Sequence, residues 1–307
     1  MSAFIQTLPP KNHPNYRLWS NYAEFAKDRG RLVCDILESF QPLKGLKILD
    51  VGCGEGGTSL ALAERGAQIT AIDFNPKRVE KFRQKVFTAG IDLSIEVGNA
   101  QNLNFPNEAF DCILLQDVLE HLPHPEKAVQ EINRVLKRNG LVYISTPNRW
   151  SPLNFISDPH WNLPIVSVLP RKGATYFITK IIQREKFPRE DFAALLSIFK
   201  IRRLFKDANF TLTFVNKRVA GELFTNPQAV VNSELHLKVV KLLKKLKLQK
   251  LILSTVNDKF GFLNALFNPT WYLVARKIDR IDTICRIKFK NPNKYSPCFI
   301  LSNLSKS

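Results

Sequence analysis

Residues 47–57, KILDVGCGEGG, decide how this chain is read. Lys47–Val51 is a short apolar run of β type. It passes through a cluster of glycines into Thr58–Arg65, where Leu60, Ala61 and Ala63 carry helical spacing. Strand, glycine turn and helix in that order make a place for an anionic group. Glycine lets the backbone approach a ligand, and the first helical turn offers unpaired N–H groups at the positive end of the dipole. Gly52, Gly54 and Gly57 satisfy the G-x-G-x-x-G spacing of dinucleotide sites, with Asp73 about 20 residues on. The motif alone leaves two ligands open, a nicotinamide or flavin dinucleotide and a smaller adenosine compound. Asp50 favours the second. A carboxylate directly before the glycines repels a pyrophosphate and suits a ligand carrying an ammonium and a sulfonium.

Outward from this turn, Gln68–Asp73 reads as a second strand and Pro76–Ala89 as a charged helix with Pro76 in its first turn. Leu93–Val97, Phe110–Leu115 and Leu141–Thr146 read as strands three to five, and Pro125–Leu136 as a helix closed by Gly140. Strands alternating with helices predict a parallel α/β sheet. Tyr22–Phe40 is a helical preface, Asn148–Pro170 a long Pro-, Asn-, Ser- and Trp-rich loop, and Arg189–Lys206 a helix; Phe210–Asn216 and Thr270–Ala275 are strands six and seven. The expected architecture is Rossmann-like: a seven-stranded, mostly parallel sheet with helices on both faces. A helical segment over 1–45 precedes the main domain, 46–277. That domain has a core over 46–150, a lid over 147–188 after strand five, and a basic helical insertion over 218–269 before the last strand. The tail, 278–307, is basic and without periodicity, and poor order is expected there.

The runs ILDVGCGEGG (48–57), AIDFNP (71–76) and NAQNLNFPNEAFDCILLQDVLEHLPHPEKAVQEINRVLKRNGLVYISTPN (99–148) resemble the class I S-adenosylmethionine-dependent methyltransferases. They are most similar to the small-molecule branch that includes the quinone-biosynthesis O-methyltransferases, and the likeness covers roughly 45–150. The resemblance implies S-adenosylmethionine as cofactor, with Gly52, Cys53, Gly54 and Gly56 along its methionine part and Asp50 on its ammonium group. It implies Asp73 on the ribose hydroxyls, Phe74 on one face of the adenine, and Gln116 towards the methionine end. Asn99 stands where the family usually has Asp; its carbonyl oxygen still accepts from the adenine amino group, with Ala100 and Gln101 as neighbours of the base.

Methyl transfer is an in-line displacement at a carbon the sulfonium already activates, so the protein mainly aligns the acceptor and takes its proton. Histidine suits that task. Among five histidines, His121 and His124 follow the fourth strand, where open α/β sheets place ligands; His121 is the favoured base. Asp117-x-x-Glu120-His121 also resembles the acidic–histidine cluster by which some quinone O-methyltransferases hold a divalent ion, with Asp117 where that branch has Glu. The simpler reading makes these acids helix-start residues, so no metal is expected. The loop after strand five makes Asn148, Arg149, Trp150, His160 and Trp161 candidate acceptor contacts.

The chain carries 45 Lys and Arg against 27 Asp and Glu, a net +18. Almost all of the excess lies after Trp150. Leu235–Leu253 reads as one basic amphipathic helix, with Leu235, Val239, Leu242, Leu243, Leu246 and Leu253 among six lysines. Such a helix covers the sheet, holds a partner or lies on an anionic membrane surface. A membrane contact would suit a lipid-like acceptor. Nucleic acid is disfavoured because the segment shows no recognised module or aromatic–basic stripe. Five scattered cysteines without a C-x-x-C pair, no signal-like start and no long apolar run predict a reduced, cytoplasmic-type protein.

The reading is therefore a methyltransferase acting on a small or lipid-like acceptor, at oxygen. Its rivals are an RNA methyltransferase clamping substrate with the basic half, and a cofactor-fold regulatory module without catalysis.

Overall fold

The computed structural model describes residues 16–156, 158–161, 163–182, 193–231, 234–256, 258 and 268–278. The N-terminal helix α1 (Tyr16–Glu38) leads to β1 (Lys47–Val51), α2 (Gly57–Glu64), β2 (Gln68–Asp73), α3 (Pro76–Ala89) and β3 (Ser94–Val97). Then come β4 (Phe110–Gln116), α4 (Pro125–Val135) and β5 (Leu136–Pro147). The lid region contains α5 (Pro152–Ile156), a 3-10 turn at Val166–Val168, and α6 (Arg171–Tyr176) running into a π-helical turn at Phe177–Ile181. After it follow α7 (Ile198–Asp207), β6 (Phe210–Phe214), α8 (Asn216–Thr225), α9 (Glu234–Lys245), α10 (Gln249–Thr255) and β7 (Thr270–Lys277).

The strands form one sheet in the order β3-β2-β1-β4-β5-β7-β6. All neighbours pair in parallel except β7, which runs antiparallel to both β5 and β6. Period-two alternation along the strands divides the core between the two faces. On one face Leu49, Val51, Ile113, Leu115, Val142 and Ile144 meet Ala128, Val129 and Ile132 of α4 and Ile201, Leu204 and Phe205 of α7. On the other, Ile48, Ala71, Leu114 and Tyr143 meet Leu37 of α1, Leu62 of α2, and Val79 and Phe82 of α3. Both faces are apolar because both are covered, which is why β1 and β4 carry consecutive apolar residues, Ile48–Leu49 and Cys112–Leu115. Helix α1 sits close on α2: a Cβ on Gly57 would lie 2.7 Å from that of Ala26. The third glycine of the fingerprint therefore serves helix packing.

Four sequence expectations are corrected. Helix α4 ends at Val135 and Leu136 is already extended, so Gly140 does not close it; Gly140 sits where a Cβ would crowd Leu136 and the Lys137 carbonyl. The helix expected from Arg189 begins at Ile198, because the Ser197 hydroxyl caps it by accepting from the Lys200 amide. Strand six stops at Phe214, and α8 starts two residues later. The single helix expected over Leu235–Leu253 is two, α9 and α10. Lys247 takes a left-handed backbone (φ 57°), while the Leu248 and Lys247 amides donate to the carbonyls of Leu243 and Lys244. That is a Schellman closure with Lys where Gly is usual, and it gives no glycine signal to read. The tail from 279 lies outside the described residues, as does 183–188 of the expected lid.

Candidate active site

The sheet order reverses between β1 and β4, and the carboxyl ends of those strands open a crevice of the kind that receives ligands in open α/β folds. The glycine turn forms one wall. Gly52 and Cys53 donate their amides to the Ile72 carbonyl, tying the turn to the end of β2. Gly52, Gly54 and Gly56 all have positive φ. A Cβ on Gly56 would lie 1.9 Å from the Phe82 ring and one on Gly52 would lie 2.6 Å from Val118, so those two are closed against the core. Gly54 has open space on its Cβ side. It is the glycine that faces the crevice.

Two carboxylates flank it. Asp50 is buried, 3% exposed, and its Oδ2 accepts from the Ser59 hydroxyl at 2.5 Å. Burial pushes its carboxyl up to about 6, against the Ser59 hydrogen bond and helped by the nearby charge of Asp73. Asp73 Oδ2 accepts from the Gly54 amide at 2.9 Å and Oδ1 from the Asn75 amide at 2.8 Å. Next to it Phe74 stands 66% exposed, an aromatic face with no core to cover. Across the mouth, Asn99 Oδ1 accepts from the Gln101 amide, Ala100 is buried, and Gln101 Oε1 accepts from the His124 amide. Gln116 is the last residue of β4. The sequence-derived cofactor residues thus gather at one end of the sheet.

The opposite side of the crevice is assembled differently. Asp117 takes a positive φ of 53° just past β4, and its Oδ2 accepts from Arg29 of α1 at 2.7 Å while Oδ1 accepts from the Ser145 hydroxyl at 2.9 Å. Arg29 also donates to Ser145. Glu120 is wholly buried; one oxygen accepts from Thr146 at 2.9 Å, and burial, reinforced by the Asp117 charge, raises its carboxyl. Its other oxygen, Oε1, accepts no hydrogen bond and lies 3.8 Å from His160 Nε2. The rings of His121 and His160 meet edge to face at 4.9 Å. Glu120, His121 and His160 each place a ligand atom within 4.8 Å of the others; the trio with Asp117 that the resemblance suggests, where no metal is expected, is not the one brought together. Asp117 is committed to Arg29 and Ser145. His124 is exposed at the start of α4, outside this group.

The loop residues divide. Asn148 is buried and holds the loop, its Nδ2 donating to the Asn268 carbonyl and its Oδ1 accepting from the Trp150 amide. Arg149 donates to the Val168 carbonyl and lies 5.5 Å over the Trp150 ring. Trp161 packs with Val166, Ala174 and Ile178 as the lid's own small core. These three shape the lid, while Trp150 and His160 keep exposed surface. Arg171 clamps the lid down by donating to the carbonyls of Glu120 and Leu122 at 3.0 Å each.

Residues 49–144 match the family model described as a methyltransferase domain. Proteins named ubiquinone biosynthesis O-methyltransferase are similar to part of this chain. That of Xylella fastidiosa (strain 9a5c) is 37% identical over 116 residues, 38% of this chain and 47% of its own; that of Azoarcus sp. (strain BH72) is 32% identical over 137 residues, 44% and 59%. The chain thus spans about half the length of the curated relatives it matches. A solved structure of an S-adenosylmethionine dependent methyltransferase from Mesorhizobium loti superposes with a TM-score of 0.50 at 16% identity, covering 79% of this chain and 96% of that one.

Four residues that the motifs pass over complete the candidate site: Arg29, Ser59, Ser145 and Arg171. Ser59 carries a signal, a hydroxyl one turn into the helix behind an acid-glycine turn. Arg29 and Arg171 carry none, because only the folded chain brings α1 and the lid over the ends of β4 and β5.

Proposed function

We propose that this chain transfers a methyl group from S-adenosylmethionine to a hydroxyl oxygen of a small or lipid-like acceptor. The observation that carries the reading is Gly54, open on its Cβ side between the carboxylates of Asp50 and Asp73. Bound S-adenosylmethionine supplies a methyl group already activated on a sulfonium. Asp50 meets its ammonium group, an interaction that favours the charged form of a carboxyl otherwise held up by burial. Asp73 takes the ribose hydroxyls, Phe74 covers the adenine, and Asn99 accepts from its amino group. Methyl transfer to a hydroxyl oxygen releases that hydroxyl's proton, and Glu120, His121 and His160 are the titratable side chains grouped to receive it. Trp150 offers an aromatic wall to the acceptor. The names of the curated relatives point to a phenolic hydroxyl on a quinone precursor as the first acceptor to try.

A peripheral contact with an anionic membrane fits such an acceptor. Val239, Leu242, Leu246 and Leu251 of the α9–α10 segment are exposed, Leu242 by 54%, beside Lys238, Lys241, Lys245 and Lys250. Among the residues of this stretch whose burial is described, Val240 alone is fully buried, so much of the apolar side stays open to solvent. No described helix is long and apolar enough to cross a membrane.

Calorimetry with S-adenosylmethionine and S-adenosylhomocysteine tests the cofactor, and labelled methyl transfer to hydroxylated quinone precursors, lipid extracts and RNA tests the acceptor. Binding and transfer to a phenolic acceptor are expected. No binding would refute the reading, and transfer to RNA alone would replace it by the clamp alternative. Co-sedimentation with anionic but not neutral vesicles, weakening with salt, is expected of the basic segment.

A further inference from the structure

Glu55 is the one charged side chain of the glycine turn, Gly52–Gly57. Gly54 and Gly56, on either side of it, both take a left-handed backbone, φ 56° and 80°. Glycine leaves such a conformation readily, so a turn built this way needs an outside hold to keep one shape. Helix α3 supplies it. Phe82 closes against Gly56, and one helical turn further along Lys85, only 8% exposed, reaches Glu55. Its Nζ donates to Glu55 Oε2 at 2.6 Å and to the Glu55 carbonyl at 3.3 Å, while Lys81 Nζ lies 3.4 Å from Oε1. We propose that Lys85 is a positioning residue for the amino-acid end of the cofactor, fixing the glycine turn in the shape whose amides receive the cofactor's carboxylate. The inference deepens the methyl-transfer reading and rests on it for the identity of the ligand.

The hydrogen bonds define what Lys85 fixes. The peptide between Glu55 and Gly56 is held at both ends. Its carbonyl accepts from Lys85, and its amide, on Gly56, donates to the Cys53 carbonyl at 2.9 Å. The Gly56 side of that peptide opposes its rotation only weakly. Turned into the crevice, the carbonyl would set a negative dipole among the amides at the start of α2, where an anionic group is received.

Burial sets this contact apart from an exposed ion pair. Lysine is seldom buried, and here the ammonium is taken out of water to meet one residue of the turn. Against the upward push of burial, the Lys85 and Lys81 ammoniums hold the Glu55 carboxyl below its usual range. A contact that served the fold alone would, when lost, weaken both parts of the cofactor alike or neither. Loss of the turn's shape weakens the amino-acid end and spares the nucleoside, which the proposed function gives to Asp73, Phe74 and Asn99.

Calorimetry on the full-length protein compares S-adenosylhomocysteine with methylthioadenosine, which has the same nucleoside and sulfur without the amino-acid part. Lys85→Met keeps the aliphatic stem and removes the charge. It is expected to weaken S-adenosylhomocysteine binding at least about tenfold and methylthioadenosine binding by less than about twofold. Glu55→Ala, at a partly exposed position, removes the carboxylate and leaves the carbonyl in place; a smaller split of about threefold is expected. Denaturant melts show which variants are folded, and Glu55→Ala decides the question should Lys85→Met not fold. Unchanged S-adenosylhomocysteine affinity in the deciding variant overturns the proposal, as does an equal loss for both ligands. Either result beside a wild type that binds leaves the methyl-transfer reading standing. A wild type that binds neither ligand sinks that reading, and this inference with it.

Discussion

The cofactor wall and the acceptor wall of the crevice are built from opposite materials. Asp50, Gly54 and Asp73 lie in one continuous strand–turn–helix–strand stretch, held by amide hydrogen bonds from Gly52 and Cys53 to the Ile72 carbonyl and from Gly54 to the Asp73 carboxylate. Glu120, His121 and His160 are joined across a lid whose own core is four buried residues, and Arg29 reaches the same end of the sheet from α1. Local construction gives a wall that needs few long-range contacts to keep its shape. Assembly from distant segments gives one that depends on docking, and docked lids are drawn from the low-stability end of a structure.

The comparison predicts separable damage. Gly54→Arg fills the open side of the turn and should weaken S-adenosylmethionine binding more than a thousandfold, about 4 kcal/mol, while its left-handed backbone lowers stability by only about 1–2 kcal/mol. Gly56→Ala is the control from the closed side of the same turn; overlap with Phe82 should lower global stability by roughly 2–4 kcal/mol in a denaturant melt. Trp161→Ala removes the centre of the lid core and should cost the lid about 3 kcal/mol locally, seen as faster hydrogen exchange across 158–178, with cofactor affinity unchanged. If cofactor affinity fell in parallel, the two walls would be one unit. Arg29→Met leaves Asp117 uncompensated and should cost on the order of 1–3 kcal/mol by thermal melt, less than a fully buried pair because both partners touch solvent.

The smallest effect separates the walls by pH. The Asp50 carboxyl stands at about 6, raised by burial, and binding of an ammonium favours its ionised form. Protonation as pH falls through that value removes the attraction, so cofactor affinity should drop by up to about tenfold per unit below it. Calorimetry from pH 5 to 8 should show the slope in wild type and flatten it in Asp50→Asn.

The same contrast explains how much was legible in the sequence. Strand ends, the glycine turn, Asp73 and Phe74 are readable because each depends on its near neighbours: KILDV is apolar on both faces, glycines mark positive φ, and Pro76 with Asn75 starts α3. The mostly parallel seven-stranded sheet follows from the same rules, whereas the antiparallel course of β7 is known only from the fold. What was not legible depends on who meets whom. Asp117 belongs to a helix-start pattern in the sequence and to Arg29 in the fold. Trp161 and Asn148 read as acceptor contacts because aromatic and amide residues in a loop look available, yet they hold the lid and the loop together. The break at Lys247 was hidden because an unsuited residue occupies the left-handed position there.

The place of β7 has a consequence for how the chain is made. It lies between β5 and β6, so β6 leaves the ribosome before the strand that joins it to the sheet exists. Until residues 270–277 emerge, β5 presents a bare edge at Ser145 and Thr146, the partners of Asp117 and Glu120. The acceptor wall is therefore finished last during synthesis, and a chain stopped before Thr270 would carry a formed glycine turn beside an open edge.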